Sequence, residues 1–278
     1  GRLAEGTREL LERAGLAFDA LADRALQAAL GTDFLALFVR AADIPEFVAD
    51  GAADVGITGR DLVAESGRAL ETLLDLGIGR CRLAVAVREE SAATCIDDVP
   101  EGARVATSFP RLTERFFRDA GRSIRVVPVS GAAEVAPHLG VADLIVDLVS
   151  TGSTLKVNGL REIATVLESS AVLVTRPELL EDDDRRRAVE ELGTALESVL
   201  RAQDKRYLMA NVPRRSLTEI RRILPGINGP TIVDVMDSGE MVAAHAVVDR
   251  RDVYRVIADL KALGAEGILV TAIERLMP

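Results

Sequence analysis

The sequence predicts an α/β protein: two sheet-and-helix units followed by a smaller domain of ferredoxin-like βαββαβ pattern. Three observations predict it. Between residues 34 and 175, short β-branched apolar runs alternate with amphipathic or Gly-bounded stretches, the rhythm of a parallel or mixed sheet. From Tyr207 onward the order becomes strand, helix, two strands, helix, strand within about seventy residues. The composition is that of a globular protein: 278 residues, 48% hydrophobic and 28% charged, enough chain for two or three cores.

Leu3 to Ala14 reads as an amphipathic helix ended by Gly15. An α/β domain usually opens on a strand and none precedes this helix, so the first strand is expected to be missing. Phe34 to Val39 is a strand, and Asp43 is placed to cap a helix through Ala49, with Pro45 in its first turn. Ala53 to Ile57 is a short strand running into the turn Thr58-Gly59-Arg60-Asp61. That turn either exposes N–H groups to an anion or simply joins strand to helix, with Asp61 in the first helical turn. Cys81 to Val87 is a strong strand. A second unit follows: strand Ala103 to Thr107, a helix begun by Ser108-Phe109-Pro110 and running to about Ala120, strand Ile124 to Val129, helix Ala133 to Leu139, and strand Asp143 to Val149.

Arg161 to Leu167 and Ala171 to Thr175 are strands, the second expected to cross back to the first unit. The charge run Glu178 to Arg187 reads as a solvated turn leading into an amphipathic helix, Val189 to Ala202. In the last part, Tyr207 to Val212, Thr231 to Met236, Met241 to Val248 and Gly267 to Ala272 are strands. Ser216 to Leu224 and Asp252 to Leu263 are helices, with a turn at Asp237-Ser238-Gly239. The expected division is 1–87 with 171–203, then 88–170, then 204–278.

Chemistry concentrates in Asp143 to Leu155. The run Leu144 to Val149 is a buried strand broken by one carboxylate, Asp147, and followed by Ser150-Thr151-Gly152-Ser153-Thr154. A charge in a buried strand is costly without a partner, and a hydroxyl-rich Gly bend before a helix can cradle a phosphate. The pair suggests a sugar phosphate, with Asp147 holding ribose hydroxyls or Mg²⁺. The alternative is a strand-end Asp capping a turn of small residues. Glu134, behind Gly131, could face the same cleft or serve a helix dipole.

Composition excludes several classes. Two cysteines, Cys81 and Cys95, do not make a disulfide framework or zinc site, and two histidines argue against a His-based metal centre or a Ser-His-Asp hydrolase. A net charge of −10 and no Trp argue against nucleic-acid binding. No apolar run is long enough to span a membrane and no signal segment is evident, so a cytoplasmic protein is expected.

Seven segments in order resemble long-form ATP phosphoribosyltransferase, the first enzyme of histidine biosynthesis. They are Asp43 to Val48, Gly56 to Leu62, Leu76 to Arg82, Ala106 to Pro110, Glu134 to Pro137, Asp143 to Gly159, and Gly264 to Val270. The resemblance implies two lobes of the periplasmic-binding-protein kind around a cleft, plus an ACT-like regulatory domain at the C-terminus. It implies a glycosyl transfer joining N1 of ATP's adenine to the ribose C1 of phosphoribosyl pyrophosphate, releasing pyrophosphate, with Mg²⁺ as cofactor. Ser150, Thr151, Gly152, Ser153 and Thr154 would grip the 5′-phosphate. Asp147 would face the ribose hydroxyls and the metal, with Glu134 and Asp143 as helpers.

By the same resemblance Arg2, Thr58, Gly59, Arg60, Asp61, Arg80, Ser108, Phe109 and Pro110 would line the ATP side of the cleft. Asn211, Thr231, Asp237 and Ala272 would hold histidine, a feedback inhibitor, in a homo-oligomer of dimer to hexamer size. The family opens with a strand ending in Asn-Lys-Gly before the Arg-Leu that here are Arg2 and Leu3. The rival readings are a non-catalytic two-lobed sensor of a small ligand and a regulatory subunit without activity.

Overall fold

The computed structural model describes residues 2–18, 26–236 and 239–277, with Arg2 described by its backbone alone. Helix α1 (Arg2–Arg13) opens the chain, followed by a hairpin of β1 (Gln27–Leu30) and β2 (Phe34–Leu37). Then come α2 (Ile44–Ala49), β3 (Val55–Gly59), α3 (Arg60–Ser66), β4 (Glu71–Asp75), β5 (Cys81–Arg88), β6 (Ala103–Thr107), α4 (Pro110–Asp119) and β7 (Ile124–Pro128). They are followed by β8 (Leu144–Val149), α5 (Ser153–Val157), β9 (Leu160–Ser169), β10 (Ala171–Thr175) and α6 (Asp183–Ala202). The last elements are β11 (Lys205–Pro213), α7 (Leu217–Ile223), β12 (Thr231–Asp234), β13 (Met241–Asp249), α8 (Val253–Ala262) and β14 (Glu266–Ala272).

Two sheets carry the larger part of the chain. A three-stranded sheet has the order β3-β10-β4, with β10 antiparallel to both neighbours and buried along its whole length. Its sequence, Ala-Val-Leu-Val-Thr, is the continuous apolar run such a strand requires. A five-stranded mixed sheet has the order β7-β6-β8-β5-β9, with β6 parallel to β7 and β8, and β5 antiparallel to β8 and β9. One face packs Leu83, Val85, Val105, Leu144 and Val146 under Leu112 and Phe117 of α4. The other is lined by small side chains, Ala84, Ala86 and Ala106, with Ile145, Val149 and Leu155.

The chain crosses between these sheets twice, at Leu76–Arg80 and at Ser170. The crossings are laced together: Leu76 N–H donates to Ala171 O at 2.9 Å and Ala171 N–H to Ile78 O at 2.8 Å. Asp75 braces them, its carboxylate accepting from Ser170 Oγ (2.6 Å), Gly77 N–H (2.8 Å) and Arg60 Nη2 (3.1 Å).

The sequence expectations need four corrections here. The helix expected over Ala133 to Leu139 is one 3₁₀ turn, Ala133–Val135, entered through Ala132 at a left-handed φ of +51° and followed by Pro137, which has no N–H to continue it. Strand Cys81 to Val87, grouped with the first unit, is instead the partner of β8 and β9 in the second sheet. Strands β1 and β4 were not expected at all. Strand β12 ends at Asp234, short of Met236, and the turn expected at Asp237 and Ser238 lies outside the described residues.

The chain packs as two compact units, 1–9 with 17–193 and 10–16 with 194–278. In the second, the βαββαβ order forms an antiparallel sheet, β12-β13-β11-β14, with one face on α7 and α8. Leu208, Ala210, Val212, Val242 and Ala244 point to those helices, and Tyr207, Met209, His245 and Leu269 to the other side.

Candidate active site

Alternation along β8 sends Leu144 and Val146 to the α4 face and Ile145, Asp147 and Val149 to the alanine-lined face. Asp147 stands opposite Ala84 of β5, so the side chain directly facing it on that strand is a single methyl. Asp147 Oδ1 accepts a hydrogen bond from Leu148 N–H at 2.7 Å, and among the described residues it has no cation as partner. Burial pushes its carboxyl above the ordinary carboxylate range. The Leu148 N–H opposes that rise and the neighbouring charge of Glu134 adds to it. Glu134, half-buried on the 3₁₀ turn, lies near enough to Asp147 for its charge to act on it. Two acids with no base between them mark a place where a ligand or cation is expected.

Past Val149 the chain turns through Ser150 and Thr151 to Gly152, at φ +77°, and α5 starts at Ser153. The Thr151 and Ser153 hydroxyls lie 2.9 Å apart. The first N–H groups of α5 have no carbonyl one turn earlier to donate to. Ser108 leaves β6 directly after Thr107, which pairs with Val146, and so emerges at the level of Asp147. Pro110 is the first residue of α4.

Other expected residues are occupied elsewhere. Thr58 is 1% exposed and donates to Ala41 O at 2.8 Å. The N–H groups of Arg60 and Asp61 are taken by Ser170 O (3.0 Å) and Ser169 Oγ (3.1 Å), so the Gly59 turn offers no anion cradle. Asp61 is buried and accepts from the Ser169 hydroxyl, and a side chain on Gly59 would collide with its carboxylate. Replacing Asp61 with Ala is expected to cost about 2–3 kcal/mol in urea unfolding, because it strips the acceptor from the buried Ser169 hydroxyl. A loss below about 0.5 kcal/mol would contradict that structural role.

Phe109 is buried in the α4 core and presents no ring to the cleft. Asp143 is engaged with Arg104, which donates from its N–H (2.8 Å) and Nη2 (2.7 Å) and holds the carboxyl below its usual range. It precedes β8, about 13 Å from Asp147 at a strand's ~3.3 Å per residue. The side chain of Arg2 and all of Asp237 lie outside the described residues. Asn211, Thr231 and Ala272 are exposed on the second unit's sheet, where Asn211 and Ala272 belong to opposite ends of the β11–β14 ladder.

Register explains what does converge. Arg82 pairs with Val149 on one side and Glu168 on the other, and Cys81 pairs with Ser169. The Ser150 loop and the two crossings therefore leave the five-stranded sheet at the same end. Arg80 precedes β5 there, and Arg60 is tied to Asp75 beside the crossings. Sequence reasoning missed Arg82 and Glu162, which form a half-buried ion pair beneath this loop. Their signal was available: a lone charge in the apolar strand Cys81 to Val87, the same signal that singled out Asp147.

Comparison with known proteins gives this arrangement a family. A family model described as HisG, ATP phosphoribosyltransferase, matches residues 40–198, and one for the HisG C-terminal domain matches residues 202–275. The chain belongs to the ATP phosphoribosyltransferase family. An ATP phosphoribosyltransferase of Gemmatimonas aurantiaca is 58% identical over 100% of this chain and 97% of its own length. One from Methanocaldococcus jannaschii is 41% identical over the same shares, 100% and 97%. Among solved structures, the ATP phosphoribosyl transferase (HisG:HisZ) complex from Thermotoga maritima aligns at TM-score 0.61 and 29% identity. It covers 71% of this chain and 95% of that one.

The activity is that of an ATP phosphoribosyltransferase, a pentosyltransferase of histidine biosynthesis built on an α/β fold. Among the described residues no helix is long and apolar enough to cross a membrane.

Proposed function

We propose that the Asp147 strand end and the Ser150–Thr154 bend together seat phosphoribosyl pyrophosphate, and that the transfer takes place beside Asp147. The observation that carries this reading is an acid without a cation among the described residues, its pKa raised by burial, three residues before a hydroxyl-rich turn into a helix. In it, the N–H groups and hydroxyls of Ser150, Thr151, Gly152, Ser153 and Thr154 donate to the 5′-phosphate. Asp147 accepts from the ribose hydroxyls and faces the ring, with Glu134 beside it. N1 of adenine attacks C1 as the C1–O bond to pyrophosphate breaks, and that bond's electron pair leaves with the pyrophosphate. The ring gains oxocarbenium character on the way, which a fixed carboxylate stabilises electrostatically. Arg60, Arg80, Ser108 and Pro110 are assigned to the ATP side, where arginines neutralise its phosphates.

Mg²⁺ fits the donor set. It takes hard oxygen ligands, commonly one or two carboxylates completed by substrate phosphates. Asp147, with Glu134 adjacent, supplies such oxygens, and no larger cluster of ligating side chains occurs among the described residues. When bound there with the substrate, the ion would neutralise pyrophosphate as it leaves. Histidine inhibition and a homo-oligomer of dimer to hexamer size belong to the same reading. Because Asn211 and Ala272 sit at opposite ends of one ladder, histidine is assigned to a contact between C-terminal domains of two chains rather than to a pocket within one.

The test is a steady-state assay of pyrophosphate release from ATP and phosphoribosyl pyrophosphate. Thr154→Val is expected to raise KM for phosphoribosyl pyrophosphate about tenfold or more while KM for ATP stays within about threefold. An unchanged KM for phosphoribosyl pyrophosphate would remove the loop from the site.

A further inference from the structure

We infer that Arg82 and Glu162 are positioning residues that hold the Ser150–Gly152 bend from beneath, which rests on the reading that this bend seats the 5′-phosphate. Arg82 is the one charge on the buried part of β5, and it points to the same face as Asp147 and Val149. Glu162 stands on β9 opposite Ala86. The residue between Arg82 and Ala86 on that face is Ala84, whose methyl lets two long side chains reach across and meet.

They meet as a two-pronged pair. Arg82 Nε donates to Glu162 Oε2 at 2.7 Å and Nη2 to Oε1 at 2.5 Å, with both side chains roughly seven-tenths buried. This is the fork geometry that only a guanidinium supplies. The remaining nitrogen, Nη1, points to the carbonyl of Ser150 at 3.5 Å. On the other side of the pair, Glu162 Oε1 would lie 3.6 Å from a Cβ added to Gly152.

The ion pair therefore reaches the first residue of the bend and lies beside its third, where it would meet a side chain. Besides these contacts the bend is fastened locally, by the hydroxyl bonds between Thr151 and Ser153 and by Lys156 N–H donating to Gly152 O at 3.1 Å. Without the pair, Ser150 and Gly152 lose their floor, and the N–H groups they present lose their fixed spacing. A phosphate then has to order the loop as it binds, which weakens binding without altering the chemical step.

The experiment compares full-length wild type with Arg82→Met, Glu162→Gln, the double variant and Thr154→Val. Readouts are KM for each substrate, kcat, calorimetric affinity for phosphoribosyl pyrophosphate with Mg²⁺, and amide hydrogen exchange over residues 150–157. For Arg82→Met, KM and Kd for phosphoribosyl pyrophosphate should rise about tenfold, with kcat and KM for ATP within about twofold and faster exchange in the loop. The double variant should be no worse than Arg82→Met, since the two residues act as one unit. Glu162→Gln, which keeps size and one acceptor, should fall between and serves alone if Arg82→Met does not fold.

Affinity and loop exchange unchanged in both single variants would overturn the proposal. If Thr154→Val raises KM for phosphoribosyl pyrophosphate and the Arg82 and Glu162 variants do not, the positioning role fails while the seat stands. If Thr154→Val has no effect either, the seat itself is wrong.

Discussion

Asp147→Asn is expected to lower kcat/KM roughly 10²–10³-fold, the scale on which removal of one preorganised electrostatic group is felt. The substitution keeps the shape and an oxygen at the same place, so the fold and the Ser150 loop should persist. On the proposed seat it removes only the charge that would answer the positive ring. Stability should move the other way. Burial raises the folded-state pKa of Asp147 above its unfolded value. Its contribution to stability is therefore fully present below the unfolded pKa, about 3.9, and is lost as pH rises through the folded value. At neutral pH, without metal, the ionised group works against folding. Asp147→Asn should then melt at or above the wild-type temperature at pH 7, and its advantage should shrink as pH falls toward 4. Thermal unfolding in chelator at the two pH values checks both signs. A lower melting temperature at pH 7 would make Asp147 a structural residue. Pyrophosphate release within a few-fold of wild type would take it out of the chemistry.

Phe117→Ala should carry the largest stability cost in the larger unit, about 3–5 kcal/mol in urea unfolding. The ring is 0% exposed and meets Phe116 edge to face at 5.6 Å between centroids. It packs in the cluster that includes Leu83, Val85, Val105 and Leu112. Leu144 and Val146 of β8 belong to the same cluster, which means that the strand bearing Asp147 is anchored through this ring. A cost under about 2 kcal/mol would show that the site collapses on truncation.

Much of this architecture was legible in the residues. Leu144 to Val149 read as a buried strand because five of its six residues are apolar, and Asp147 stood out for the same reason. The βαββαβ order of the last part was visible in the alternation of Met241 to Val248 and the amphipathic run before Gly264. Local pattern failed where long-range contact decides structure. Gln27 to Leu30 carries two alanines and no β-branched residue, and it is a strand only because Phe34 to Leu37 folds back on it. Asp61 is the first-turn acid its position suggests, but its partner, the Ser169 hydroxyl 108 residues away, is announced by no spacing in the sequence. Ala133 to Leu139 had helical composition, but Pro137 and the left-handed Ala132 limit it to one turn.

The double crossing at Leu76–Arg80 and Ser170 has a mechanical consequence. A body joined to its neighbour by two adjacent strands of chain can bend about that joint but cannot slide or twist freely past it. Opening and shutting of the cleft must then be absorbed by the torsions of these few residues. Gly77 and Gly79, at φ +65° and +64°, already occupy backbone angles that other residues resist. Substitutions at these six positions, all outside the Ser150–Thr154 bend, are therefore expected to change the rate of opening and shutting.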